Sequence, residues 1–123
     1  MRAPGQQAQR ERALLGPLKP HPIWAEIQGA EVRRHEVPYT WTTAEGWTDA
    51  GAIDLLYRVG GGWRLVDFKT DELRDREAIV RAVEEYRPQL ERYVQAVRSL
   101  LHVEPAPGLC FLDVEGEARV VSL

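Results

Sequence analysis

Two aspartates and a lysine carry the chemistry that this sequence can be asked to perform. Asp67 and Lys69 lie two residues apart in the run Leu65-Val66-Asp67-Phe68-Lys69-Thr70, and Asp54 lies in Gly51-Ala52-Ile53-Asp54-Leu55-Leu56. Successive side chains of a strand point to opposite faces, so Asp67 and Lys69 share a face. The two runs are separated by Val59-Gly60-Gly61-Gly62, a hairpin signal. A two-residue turn at Gly60-Gly61 pairs Val59 with Gly62, a four-residue loop from Val59 to Gly62 keeps the same register, and either one, counting back, sets Asp54 opposite Asp67. A three-residue loop shifts the register by one and separates the acids.

Two carboxylates facing each other across a ladder repel, and in an otherwise apolar hairpin that cost needs a cause. One reading is a bound cation. Magnesium takes oxygen ligands, commonly one or two carboxylates completed by water and substrate phosphate. Lys69 then offers a positive point charge to a water nucleophile or a scissile phosphate, and the chemistry is phosphodiester hydrolysis. The other reading is structural: Asp54 and Asp67 as edge carboxylates paired with Arg58, Arg64 or Lys69. Spacing alone leaves both open.

The elements that must position these groups fit a chain of 123 residues, enough for one domain with one ordinary core. The hydrophobic fraction of 44% and charged fraction of 28% exclude wholesale disorder and fibrous repeats. The single glycine run is followed by Trp63 and Arg64, not by the Lys-Ser/Thr of a phosphate-cradling loop, which excludes ATP hydrolysis. No apolar run is long enough to span a membrane and the start lacks a secretory pattern, so the expectation is a cytoplasmic protein without membrane contact. The single cysteine, Cys110, sits in an apolar run and reads as core. A net charge of -3 argues against an indiscriminate nucleic-acid binder. Of 16 basic residues only Lys19 and Lys69 are lysine, which singles out Lys69.

Residues 1–20 read as a flexible arm or as a short helix around Glu11 to Leu15. Pro22 opens a helix through Ala30. A strand from Glu31 to about Trp41 follows, with Pro38 indicating an edge or a bulge. Strands at Gly51 to Arg58 and Trp63 to Thr70 come next. Asp71 to Arg92 predicts a solvent-facing helix, kinked or restarted at Pro88, continuing in a stripe of Leu90, Tyr93, Val94, Val97, Leu100 and Leu101. Residues 108–114 and 117–123, joined by Glu115-Gly116, read as a closing hairpin. The expected fold class is an α/β sandwich with a mixed central β-sheet flanked by helices.

The strings around Asp54 and Asp67, together with Tyr86, Gln89-Leu90 and Tyr93, resemble the RecB-like branch of the PD-(D/E)xK nuclease superfamily, the nuclease domain of UvrD-type helicase-nucleases. The resemblance runs from about Pro22 to the C-terminus and includes Glu36-Val37-Pro38. It implies a restriction-endonuclease-like fold for residues 21–123. It further implies a magnesium- or manganese-dependent DNA nuclease of the exonuclease type, serving DNA repair or recombination beside a helicase. The implied metal ligands are Asp54, Asp67 and the carbonyl of Phe68. The implied catalytic set is Asp54, Asp67 and Lys69, and Gln89 and Tyr93 match the Q-x-x-x-Y helix that faces substrate. Those two residues are one helical turn apart, and Tyr93 also fits the apolar stripe. The family's further ligand is a histidine on an upstream helix for which this chain begins too late. His21, His35 and His102 lie in other contexts, and Glu26 and Glu36 read either as substitutes or, the favoured reading, as solvated surface carboxylates. The alternative function is a weak or inactive nuclease-fold module that binds DNA or docks on a helicase.

Overall fold

The computed structural model describes residues 16–123, so the helix expected near Glu11 to Leu15 lies outside the described residues. The end of the expected arm is a 3-10 turn at Gly16–Leu18, whose Leu18 is fully buried. Helix α1 (Pro22–Gln28) begins with proline in its first turn, and the His21 Nδ1 caps it by accepting from the Ile23 amide at 3.1 Å.

Five strands then build one mixed sheet in the order β1 (Val32–Thr42), β2 (Thr48–Val59), β3 (Gly62–Leu73), β4 (Ala106–Val114), β5 (Glu117–Ser122). All neighbours are antiparallel except β3 and β4, which run parallel. A parallel pair needs a crossover, and α2 (Arg76–Leu101) supplies it. β1 is an edge strand, where Pro38 leaves no ladder hydrogen bond unmade.

The sheet separates two apolar layers. On one face α2 packs Ile79, Ala82, Val83, Leu90, Tyr93, Ala96 and Val97 onto Tyr39, Ile53, Leu56, Leu65, Leu109 and Phe111. On the other face α1 and the 3-10 turn set Leu18, Ile23 and Ile27 against Leu55, Tyr57, Val66, Cys110 and Leu112. Cys110 is buried as expected, and burial pushes its thiol up to about 12. Among the described residues no helix is long and apolar enough to cross a membrane.

The structure corrects the helix predicted from Asp71. Residues 71–73 extend β3, because past a bulge after Lys69 the ladder resumes with Glu72 opposite Asp113 and Leu73 opposite Val114. The helix starts at Arg76, capped by Asp75 Oδ1 on the Ala78 amide at 2.7 Å. It neither breaks nor restarts at Pro88 but continues to Leu101. Burial of one stripe against four strands outweighs the hydrogen bond that the proline removes.

Candidate metal and catalytic centre

The hairpin register is the one that brings the acids together. Gly60 and Gly61 both have positive φ, 58° and 80°, as a two-residue turn between twisted strands requires, and Val59 pairs with Gly62. The β2–β3 ladder runs back from there to Leu55 opposite Val66, the pair that precedes Asp54 and Asp67. At that point the main-chain pairing stops. The Phe68 amide donates instead to Asp54 Oδ2 at 2.8 Å. The acids therefore sit at the fork where β2 stays with β1 and β3 stays with β4.

The β1–β2 ladder is also irregular at this level. His35 pairs with Leu55 and Val37 with Ile53, but Glu36 takes a left-handed φ of 47°. Ile53 and Leu56 both lie under α2, although strict alternation would put residues three apart on opposite faces. The alternation slips by one residue at Asp54. That slip is the local backbone feature that lets an acid in an apolar strand aim into the fork instead of at either core layer.

Electrostatics at the fork are severe. Asp67 is 4% exposed, alone among the charged side chains of the described residues in being buried. Its Oδ2 makes no hydrogen bond of acceptable angle, although the Lys69 ammonium stands 2.8 Å away as an ion pair. Burial raises the Asp54 carboxyl first, and the adjacent Asp67 carboxyl raises it further. The Phe68 amide and Lys69 offset only part of this. Lys69 also donates to Gln89 Oε1 at 2.8 Å and lies over the Tyr86 ring, 4.1 Å from its centroid.

Of the residues singled out in the sequence, Asp54, Asp67, Phe68, Lys69 and Gln89 thus come together at one point. Tyr93, one turn beyond Gln89, is buried and meets Tyr39 edge-on at 5.9 Å between centroids. Its phenol is raised by burial and then by the charges of Asp67 and Asp54. The structural alternative holds only for Lys69, since Arg58 pairs with Glu31 and Arg64 with Glu26. Glu26 is on the opposite face, where its Oε1 accepts from the Tyr57 hydroxyl at 2.9 Å. Glu36 stands at the level of Asp54 in β1. Among the described residues no three His, Cys, Asp or Glu side chains gather in a metal-ligating group.

A second polar network lies beside Tyr93. Tyr39 donates to Asp49 Oδ2 at 3.0 Å, and Arg92 pairs with the same carboxylate, tying the turn end of the β1–β2 hairpin to α2. Arg92 follows Gln89 by three positions, so only the placement of α2 over β2 makes this network.

The residues present fit a hard divalent cation. Asp67 Oδ2 is buried outside any hydrogen bond, Asp54 is raised by burial and then by its neighbour, and a cation between two such oxygens cancels their repulsion.

Comparison with known proteins agrees with this geometry. The family described as the PD-(D/E)XK nuclease superfamily matches residues 5–122. The chain is also 30% identical to an ATP-dependent helicase/nuclease subunit of Natranaerobius thermophilus, over a stretch covering 73% of this chain and 8% of that protein. The chain therefore spans a small part of that relative's length.

Proposed function

The chain belongs to the PD-(D/E)XK nuclease superfamily, and from that premise we propose that it is a magnesium-dependent deoxyribonuclease hydrolysing phosphodiesters from DNA ends. We place it in the cytoplasm, in repair or recombination, working with a helicase subunit or domain. The observation that carries this reading is the pair of buried Asp67 and half-buried Asp54 at the strand fork, with the Lys69 ammonium 2.8 Å from Asp67.

Asp54, Asp67 and the Phe68 carbonyl hold the cation, which when bound lowers the pKa of water and offsets developing negative charge. Lys69 presents its ammonium to the attacked phosphate, where a point charge in a water-poor site stabilises the transition state more than the ground state. Gln89 fixes that ammonium by accepting one of its protons. Gln89 and Tyr93 present one face of α2 to the substrate strand.

A second reading rests on a specific observation: two carboxylates without a third ligating side chain among the described residues. Such a centre holds its ion weakly, and ~1 Å of misplacement costs on the order of a hundredfold in rate. It describes a slow, manganese-preferring nuclease or a DNA-binding module. Cleavage and binding of end-labelled DNA, measured on one preparation with magnesium and with manganese, separate the two. Turnover with magnesium that Asp67→Ala abolishes supports the first reading. Metal-independent DNA binding without cleavage supports the second. A metal-dependent rise in melting temperature equal in wild type and Asp67→Ala removes the metal centre from both.

A further inference from the structure

The nuclease reading gives Lys69 a task but leaves open what keeps a flexible four-carbon side chain on target. Its ammonium has three partners on two elements. Asp67 Oδ2 comes from β3, at 2.8 Å. Gln89 Oε1, at 2.8 Å, and the Tyr86 ring face, at 4.1 Å to the centroid, come from α2. Positions 86 and 89 are three apart and lie on one face of the helix. Tyr86 is itself held: its hydroxyl donates to both carboxylate oxygens of Asp71, at 2.9 and 2.8 Å. Asp71 follows Lys69 by two residues on β3, so the strand that presents the lysine also anchors the ring that covers it.

We propose that Tyr86 is a positioning residue for Lys69: its ring face holds the ammonium, and Asp71 fixes the orientation of the ring through the hydroxyl. The role rests on the nuclease reading, whereas the contact does not. Asp67 cannot do this positioning alone, because its oxygens are the ones a cation needs. Gln89 and Tyr86 hold the ammonium without drawing on either acid. A cation over an aromatic face in a desolvated place is a substantial attraction. It restricts the ammonium to one side of the ring without taking up its protons, which stay available to a phosphate oxygen.

The sequence makes the contact measurable without turnover. Lys19 and Lys69 are the only lysines, so protein labelled with 13C at the lysine ε-carbon shows two resonances, assigned by Lys69→Arg. A methylene next to an ammonium above a ring face is shifted upfield by the ring current. We expect Tyr86→Leu to move the Lys69 resonance to the position of exposed Lys19 and to lower kcat on the order of a hundredfold, with KM for DNA within about twofold. Tyr86→Phe, which keeps the ring and frees it from Asp71, should retain most of the ring-current shift and recover kcat to within about tenfold of wild type. An unshifted Lys69 resonance in the wild type overturns the contact. Tyr86→Leu turning over at the wild-type rate overturns the role. So does Tyr86→Phe equal to Tyr86→Leu in both readouts, since the hydroxyl and not the ring would then be responsible. A wild-type chain that keeps the shift but cleaves no DNA with either metal overturns the nuclease reading and the role with it, while the contact stands.

Discussion

The metal-free protein should be less stable as pH rises, and the substitution Asp54→Asn should remove that loss. Burial, then the adjacent Asp67 carboxyl, push Asp54 from its usual 3.8 up to about 7. In the unfolded chain it ionises at its usual value, so the folded state binds the proton more tightly. A group raised in this way contributes stability that is fully present below the unfolded value and is lost as pH rises through the folded one. The window is therefore about pH 4 to about pH 7. The full difference corresponds to about 4 kcal/mol at ~1.36 kcal/mol per pH unit. Asp54 is only half-buried, and solvent screening reduces this to about 2 kcal/mol. Asparagine keeps an oxygen for the Phe68 amide and carries no charge against Asp67. Urea unfolding in chelator across pH 4 to 8 is the assay. With a urea m-value of about 2 kcal/mol/M, wild type and variant should coincide near pH 4 and separate by about 1 M in midpoint above pH 7, the variant being the more stable. Magnesium should then raise the wild-type midpoint at pH 8 and leave Asp54→Asn nearly unmoved. Parallel pH profiles for the two proteins in chelator would refute the reasoning, because Asp54 would then ionise alike in the folded and unfolded states.

The other predictions follow from single contacts. Lys69→Ala should abolish cleavage and, by leaving buried Asp67 without its partner, lower stability in chelator by about 3 kcal/mol. Magnesium should restore much of that stability, as melting curves with and without the metal will show. Gly51→Ala should destabilise the fold by about 1 to 3 kcal/mol. Its Cβ would stand 3.0 Å from the hydroxyl oxygen of the buried Tyr39, which is tied to Asp49, and thermal melting measures the loss. Pro88→Ala should stabilise α2 by up to about 3 kcal/mol, since it restores a main-chain hydrogen bond inside a helix that is already continuous. A lower urea midpoint in that variant would mean that the proline ring contributes packing.

The parts of this protein legible in its sequence are those governed by short-range rules. Two glycines able to take positive φ determine the β2–β3 turn, the turn determines the register, and the register points Asp54 at Asp67. Alternation within one strand puts Lys69 on the face of Asp67, and helical spacing puts Gln89 one turn before Tyr93. Composition and periodicity were also enough for the α/β class and for Cys110 in the core. Tertiary structure decided the rest. Asp71 to Leu73 read as the start of a helix because their charges are helix-like, but a ladder with β4, some forty residues on, holds them extended. Pro88 reads as a break, yet the helix passes through it because its apolar stripe is buried along the sheet. The slip in alternation at Asp54, opposite the left-handed Glu36, involves two strands at once and leaves no mark in either run. Nor does any local pattern bring Tyr86 and Gln89 onto Lys69, or Arg92 onto Asp49. Those contacts depend on where a crossover helix comes to rest on a twisted sheet. That placement is set by the packing of both apolar layers together, a sum over many distant pairs that no window of sequence contains.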